Sequence, residues 1–214
     1  MIKGIIFDLD GTTLNTLLDM VECVNMTMRD YGFPEKTYDE VRLGVGRGYR
    51  VLIQSCLPEG STDELIDKCT ETYKGYYAKY CAVKTVPYEG VKELMNKLEE
   101  KGIKLGVNSN KGDDLTNELT KHHFPENNFV AIIGSRANVP NKPDPFSANE
   151  IMEKMGFTKD EVLYVGDSES DILTGHNAGL KVVGCSYGFR DREVLADNGA
   201  DYIIDNALEL LDII

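Results

Sequence analysis

Ile2-Lys3-Gly4-Ile5-Ile6-Phe7-Asp8-Leu9-Asp10-Gly11-Thr12 is the stretch on which the fold of this chain turns. A short, mostly apolar run of strand length ends in two carboxylates two residues apart, at a point where the backbone must turn sharply. In extended chain, side chains at i and i+2 point to the same side. Asp8 and Asp10 would therefore repel each other at neutral pH unless a cation or a shared proton lies between them. The pattern points to a divalent metal, to a nucleophile with an acid/base partner, or to both.

Working outward, further apolar runs read as buried strands: Ile103 to Val107, Phe129 to Ile133, Val162 to Val165, Lys181 to Val183 and Tyr202 to Ile204. Helix-patterned segments lie between most of them. Val91 to Lys101 carries Val91, Leu94, Met95 and Leu98 at helical spacing and stops at Gly102, and Ser147 to Met155 stops at Gly156. This alternation predicts an α/β fold with a parallel sheet covered by helices, and in such sheets the site lies beyond the carboxyl ends of the strands.

Residues from about Thr16 to Tyr80 break the alternation and read as a series of helices, with turn signals at Tyr31-Gly32-Phe33-Pro34 and Pro58-Glu59-Gly60. The expected organisation is a Rossmann-like core of residues 1–15 and 84–214, with a small helical cap domain, 16–83, inserted after the first strand. A cap entering directly after the acidic turn is placed to close over the carboxylates and exclude water.

The 214 residues are 42% hydrophobic, enough for a buried core, and carry a formal net charge of −13. Clustered Lys and Arg are missing, which argues against a nucleic-acid partner. No apolar run approaches membrane-spanning length, and Asp8 and Asp10 interrupt the first one too early for a signal peptide. Cys23, Cys56, Cys69, Cys81 and Cys185 form no C-x-x-C pair and fit neither a disulfide framework nor a zinc site. Reduced thiols and a cytoplasmic location are expected.

Four segments place polar groups just after predicted strands: Asp8-Leu9-Asp10-Gly11-Thr12, Asn108-Ser109-Asn110-Lys111, Lys142-Pro143-Asp144-Pro145 and Gly166-Asp167-Ser168-Glu169-Ser170-Asp171. With these four motifs in this order the chain resembles the phosphatase branch of the haloacid dehalogenase superfamily, whose pattern is D-x-D-G-T, then Ser/Thr, then Lys, then G-D-x-x-x-D. The likeness covers essentially the whole chain. Val41 to Gly48 and Gly199 to Ile204 look further like the phosphoglycolate phosphatase group.

Chemistry and resemblance together imply the following roles. Asp8 is the nucleophile that forms an aspartyl-phosphate. Asp10 protonates the leaving alkoxide and later deprotonates water. Gly11 permits the tight turn beside the phosphate, and Thr12 holds a phosphate oxygen or orients Asp10. Ser109 and Asn110 are expected at the substrate, Ser109 on a phosphoryl oxygen, and Lys142 neutralises the transferred group. Magnesium takes few protein carboxylates; Asp8 and Asp167 fit, the resemblance adds the backbone carbonyl of Asp10, and Asp171 acts through water or by holding Lys142. Arg47, in the glycine-rich Gly44, Gly46, Gly48 stretch, is the candidate for a small substrate carboxylate.

Thr13 and Asn15 depart from the family pattern, which usually continues with Leu and an acid or small polar residue at these positions. The expected activity is Mg2+-dependent hydrolysis of a small phosphorylated metabolite, with 2-phosphoglycolate first, by a monomer or weak homodimer. Phosphotransfer of the β-phosphoglucomutase type, a pyrophosphatase and a non-catalytic magnesium-binding interaction protein stay open as alternatives. Dehalogenation is disfavoured, because Asp10 has no evident use there. His122, His123 and His176 are read as surface or packing residues, and Tyr73, Tyr76, Tyr77 and Tyr80 as packing.

Overall fold

The structure is a computed structural model that describes all residues from Met1 to Ile214. In chain order the strands are β1 (Gly4–Phe7), β2 (Leu14–Asn15), β3 (Val86–Pro87), β4 (Lys104–Gly112), β5 (Phe129–Ser135), β6 (Val162–Gly166), β7 (Lys181–Cys185) and β8 (Tyr202–Ile204). The α-helices are α1 (Leu17–Asp30), α2 (Tyr38–Gly44), α3 (Tyr49–Cys56), α4 (Asp63–Tyr80), α5 (Val91–Glu100), α6 (Asp113–His123), α7 (Phe146–Met155), α8 (Glu169–Ala178) and α9 (Arg192–Asp197). The chain divides into two compact units, Met1–Leu14 with Pro87–Ile214, and Asn15–Val86.

The first unit is built on a six-stranded sheet in the order β5-β4-β1-β6-β7-β8, all of whose paired neighbours run parallel. Its central strand β1 is buried at every position, as a strand covered on both faces must be. Ile6, Tyr164 and Val182 from three neighbouring strands pack with Ile151, Met155 and Ile172 from α7 and α8. Each fully buried aliphatic side chain of this kind contributes about 1.5–3 kcal/mol.

Counted along the sheet-forming strands only, this order is 3-2-1-4-5-6, the doubly wound Rossmann arrangement. From β1 the chain winds outward through β4 and β5, then returns to lay β6 against the other edge of β1. By the right-handed rule for parallel crossovers, a reversal of this kind puts the helices on the two sides of β1 on opposite faces of the sheet. In such sheets ligands bind beyond the carboxyl ends of the two strands where the direction reverses, here β1 and β6. Asp8 follows β1 and Asp167 follows β6 directly.

In the second unit α1 to α4 form a helical bundle. Tyr73 and Tyr77 of α4 are completely buried and stacked with ring centroids 5.4 Å apart, and Tyr49 of α3 meets Tyr73 edge-on at 5.5 Å. The buried carboxylate of Asp19 in α1 accepts hydrogen bonds from the backbone N–H groups of Lys84 and Thr85 and from the Thr85 hydroxyl. One side chain thereby fixes the returning segment to the first helix. The five cysteines are buried and unpaired, and no helix is long and apolar enough to cross a membrane.

Candidate active site

The turn after β1 is held by its own backbone. Leu9 carbonyl accepts from the N–H groups of Thr13 and Leu14, and Gly11 N–H donates to Leu14 carbonyl. Thr13, one of the two departures from the family pattern, donates its hydroxyl to the carbonyls of Asp8 and Leu9 and so braces this loop. Gly11 has φ +88°, and a Cβ there would come within 2.2 Å of Asp167 Oδ2. Both the left-handed backbone and the approach of the carboxylate require glycine.

Asp8, Asp167 and Asp171 are buried, and one oxygen from each lies within 4.8 Å of the others. Lys142, from the loop between β5 and α7, reaches into this group, with its Nζ 2.9 Å from Asp8 Oδ1 and 2.6 Å from Asp171 Oδ1. The other oxygen of Asp171 accepts from the Ser168 backbone N–H and hydroxyl, a reciprocal cap on the first turn of α8. Asp171 therefore holds Lys142 with one oxygen and its own helix with the other. Asp167 accepts from the Thr12 hydroxyl at 3.2 Å and from the Phe189 backbone N–H at 2.7 Å.

Three buried carboxylates against one ammonium leave two negative charges in excess when all are ionised. The electrostatics reflect that excess. Burial, then the neighbouring Asp171, push Asp8 up to about 7 despite the opposing pull of Lys142. Asp167 lies well above the usual carboxylate range for the same first reason, burial, with Asp171 and Asp8 adding to it. Burial works against the charge on Lys142, but Asp171 and Asp8 more than offset it and hold the ammonium well above its ordinary value. A divalent cation among these oxygens would balance the charge, and an all-oxygen donor set suits a hard ion such as Mg2+.

A second charged group sits beside the first. Lys111 Nζ contacts both oxygens of Asp10, at 2.6 and 2.8 Å, and the lysine side chain is wholly inaccessible to solvent. Asn110, expected at the substrate, engages the Lys142 backbone at both ends of its amide, accepting from the N–H at 2.8 Å and donating to the carbonyl at 3.2 Å. Ser109 Oγ accepts from the Lys111 N–H at 3.2 Å. These three residues lie where β4 bulges: four steps from Asn108 to Gly112 pair with two steps of β5, from Ile133 to Ser135.

The sheet edge thus gathers Asp8, Asp10, Gly11, Thr12, Ser109, Asn110, Lys142, Asp167 and Asp171 into one connected network. Arg47 is not in it; its exposed side chain belongs to the helical unit, in the loop between α2 and α3. The sequence reading did not assign Lys111, Gly188 or Phe189. A Cβ on Gly188 would meet Asp167 Cβ and the Gly11 carbonyl, both at 2.3 Å, so the loop after β7 lies directly against the acid it hydrogen-bonds. Lys111 was visible in its motif, as a lysine directly after Ser109-Asn110; the Phe189 donor, a backbone N–H, carries no side-chain signature.

Comparison with known proteins agrees with this architecture. The model of the haloacid dehalogenase-like hydrolase family matches residues 5–185. A phosphoglycolate phosphatase of Vibrio vulnificus is 33% identical over 219 residues, spanning 100% of this chain and 96% of that protein. One from Haemophilus influenzae is 31% identical over 99% of this chain and 98% of its own length. The crystal structure of a protein provisionally named phosphoglycolate phosphatase, from Lactobacillus delbrueckii subsp. bulgaricus, superposes with a TM-score of 0.93 at 30% identity, covering 99% of this chain and 97% of that one.

Proposed function

The chain belongs to the haloacid dehalogenase-like hydrolases, and from that membership we propose that it is a Mg2+-dependent phosphatase acting on a small phosphomonoester, with 2-phosphoglycolate the leading candidate. The observation that carries the proposal is the buried group of Asp8, Asp167 and Asp171 around Lys142, which is short of positive charge by the amount a divalent cation supplies. The two full-length relatives named phosphoglycolate phosphatase support the choice of substrate.

In this reading an Asp8 oxygen attacks phosphorus as the bond to the leaving oxygen breaks, and the leaving oxygen takes its proton from Asp10. Water then attacks the aspartyl-phosphate, gives its proton to Asp10 and restores the Asp8 carboxylate as inorganic phosphate departs. Lys142 and the Ser109 hydroxyl hold the phosphoryl oxygens while charge develops on them. Asp8, Asp167 and the Asp10 carbonyl would hold Mg2+, which when bound neutralises phosphoryl charge and keeps Asp8 ionised. Arg47 is assigned to the substrate carboxylate and the helical unit, residues 16–83 as expected from sequence, to the cap. A substrate of this kind and five buried, unpaired thiols fit work in a reducing cytoplasm.

Phosphate release from a panel of phosphorylated metabolites, with and without Mg2+, tests the proposal. Release from 2-phosphoglycolate that requires Mg2+ is expected, and silence across the whole panel would overturn it.

A further inference from the structure

The mechanism just described leaves Lys111 unused, although the fold spends an unusual arrangement on it. An ammonium with no solvent contact is costly to bury, and only a close partner offsets that cost. Its partner is Asp10, which it grips at two points, 2.6 and 2.8 Å. The lysine backbone is itself pinned. Its N–H donates to Ser109 Oγ, its carbonyl accepts from the Thr116 hydroxyl of α6, and Gly134 of β5 packs so close that a Cβ there would stand 2.6 Å from that carbonyl.

In a regular strand Ser109, Asn110 and Lys111 would point alternately to opposite faces. The bulge in β4 removes that alternation, and such bulges re-aim side chains beside sites. All three residues then reach one network: Asn110 clamps the Lys142 loop, Ser109 accepts from the Lys111 N–H, and Lys111 takes Asp10. Asp10 needs such a holder. It sits in a tight turn, next to a glycine with φ +88°, and its side chain can rotate about two bonds.

We propose that Lys111 is a positioning residue that holds the Asp10 carboxyl group at the place where it exchanges protons with the leaving oxygen and with the attacking water. The two-point grip allows one Asp10 oxygen to remain on the ammonium while the other carries the proton. In the first step that proton passes to the leaving oxygen, which receives the electron pair of the breaking P–O bond. In the second step the proton of the attacking water passes back to the same oxygen as the Asp8–phosphorus bond breaks. Lys111 neither gains nor loses a bond.

The inference rests on the phosphatase reading, and its test separates the two. Formation of the aspartyl-phosphate from an ester whose leaving group needs no proton does not depend on where Asp10 stands, whereas its formation from an alkyl ester does; the hydrolysis that follows is common to both. Lys111→Met is compared with the unaltered enzyme on 2-phosphoglycolate and on p-nitrophenyl phosphate, with Mg2+ present. The expected result is a fall of about 100-fold in the single-turnover rate of leaving-group release from the alkyl phosphate, the scale of a displaced catalytic group, with KM changed little. For p-nitrophenyl phosphate the first step, read as single-turnover release of p-nitrophenolate, is expected to slow by less than about fivefold, because general-acid assistance is not required there. In the Asp10→Asn background, Lys111→Met should cause no further loss with either substrate, since it acts only through Asp10.

Equal losses in the first step on the two substrates, or losses that multiply with Asp10→Asn, would overturn the proposal. If Lys111→Met does not fold, Lys111→Gln, which keeps a single donor, carries the same comparison. Wild-type activity on p-nitrophenyl phosphate that disappears in Asp8→Asn upholds the underlying reading independently. Its absence would remove both together.

Discussion

Two acid-base groups stand side by side at the edge of this sheet, and they are balanced differently. Between its two proton transfers, when Asp10 is ionised, its charge and that of Lys111 cancel within the protein. Asp8, Asp167 and Asp171 share a single ammonium, that of Lys142. The balanced pair is complete without any further ion and is suited to holding a side chain in place. The unbalanced group, when ionised, carries an excess of negative charge, held in place by a glycine-lined turn and a backbone donor, and is suited to taking up what neutralises it. Within one buried network, the ratio of acids to lysines separates the part that positions from the part that binds.

The largest expected effect breaks the unbalanced group at its centre. Asp8→Asn removes the nucleophile and should lower phosphate release by more than about a thousandfold, as loss of a nucleophile does elsewhere; steady-state assays with 2-phosphoglycolate check it. Lys142→Met comes next. It leaves three buried acids with no internal cation and should destabilise the metal-free protein by about 3–5 kcal/mol in urea titration, with Mg2+ recovering part of the loss.

Gly188→Ala sharpens the comparison without touching any charge. The new methyl group would press on Asp167 and on the Gly11 carbonyl. Mg2+ affinity should fall about tenfold, the scale of disturbed residues behind metal ligands, while the Asp10–Lys111 pair is left alone.

The smallest effect follows from protons. Folded Asp8, raised by burial to about 7 against an ordinary value of 3.8, holds its proton more tightly than the unfolded chain does. Its contribution to stability is therefore present at low pH and is lost as pH rises from about 4 through 7. A bound cation competes with that proton, so Mg2+ should raise Tm by a few degrees more at pH 7.5 than at pH 5.5. Melting curves with EDTA or Mg2+ at the two pH values measure the difference.

What could be read in the sequence tracks how local each signal is. All six sheet strands were legible because a buried parallel strand is a near-continuous apolar run, and Ile2 to Phe7 or Val162 to Val165 has few other uses. The expected helices at Val91 and Ser147 appear as α5 and α7, within a residue at each end. The strand after Ile103 was read as ending at Val107, yet β4 runs on to Gly112 through its bulge. Polar Asn108-Ser109-Asn110-Lys111 does not resemble a strand, and only pairing with β5 makes it one. For the same reason Lys111 passed as an end-of-motif lysine, although its partner lies 101 residues earlier.

Titration calorimetry of Mg2+ into the metal-free protein shows directly whether the Asp8, Asp167 and Asp171 group is built around a missing divalent charge. One saturable site per chain is expected, strongly weakened in Asp167→Asn and preserved in Lys111→Met. No saturable binding, or binding indifferent to Asp167, would contradict it.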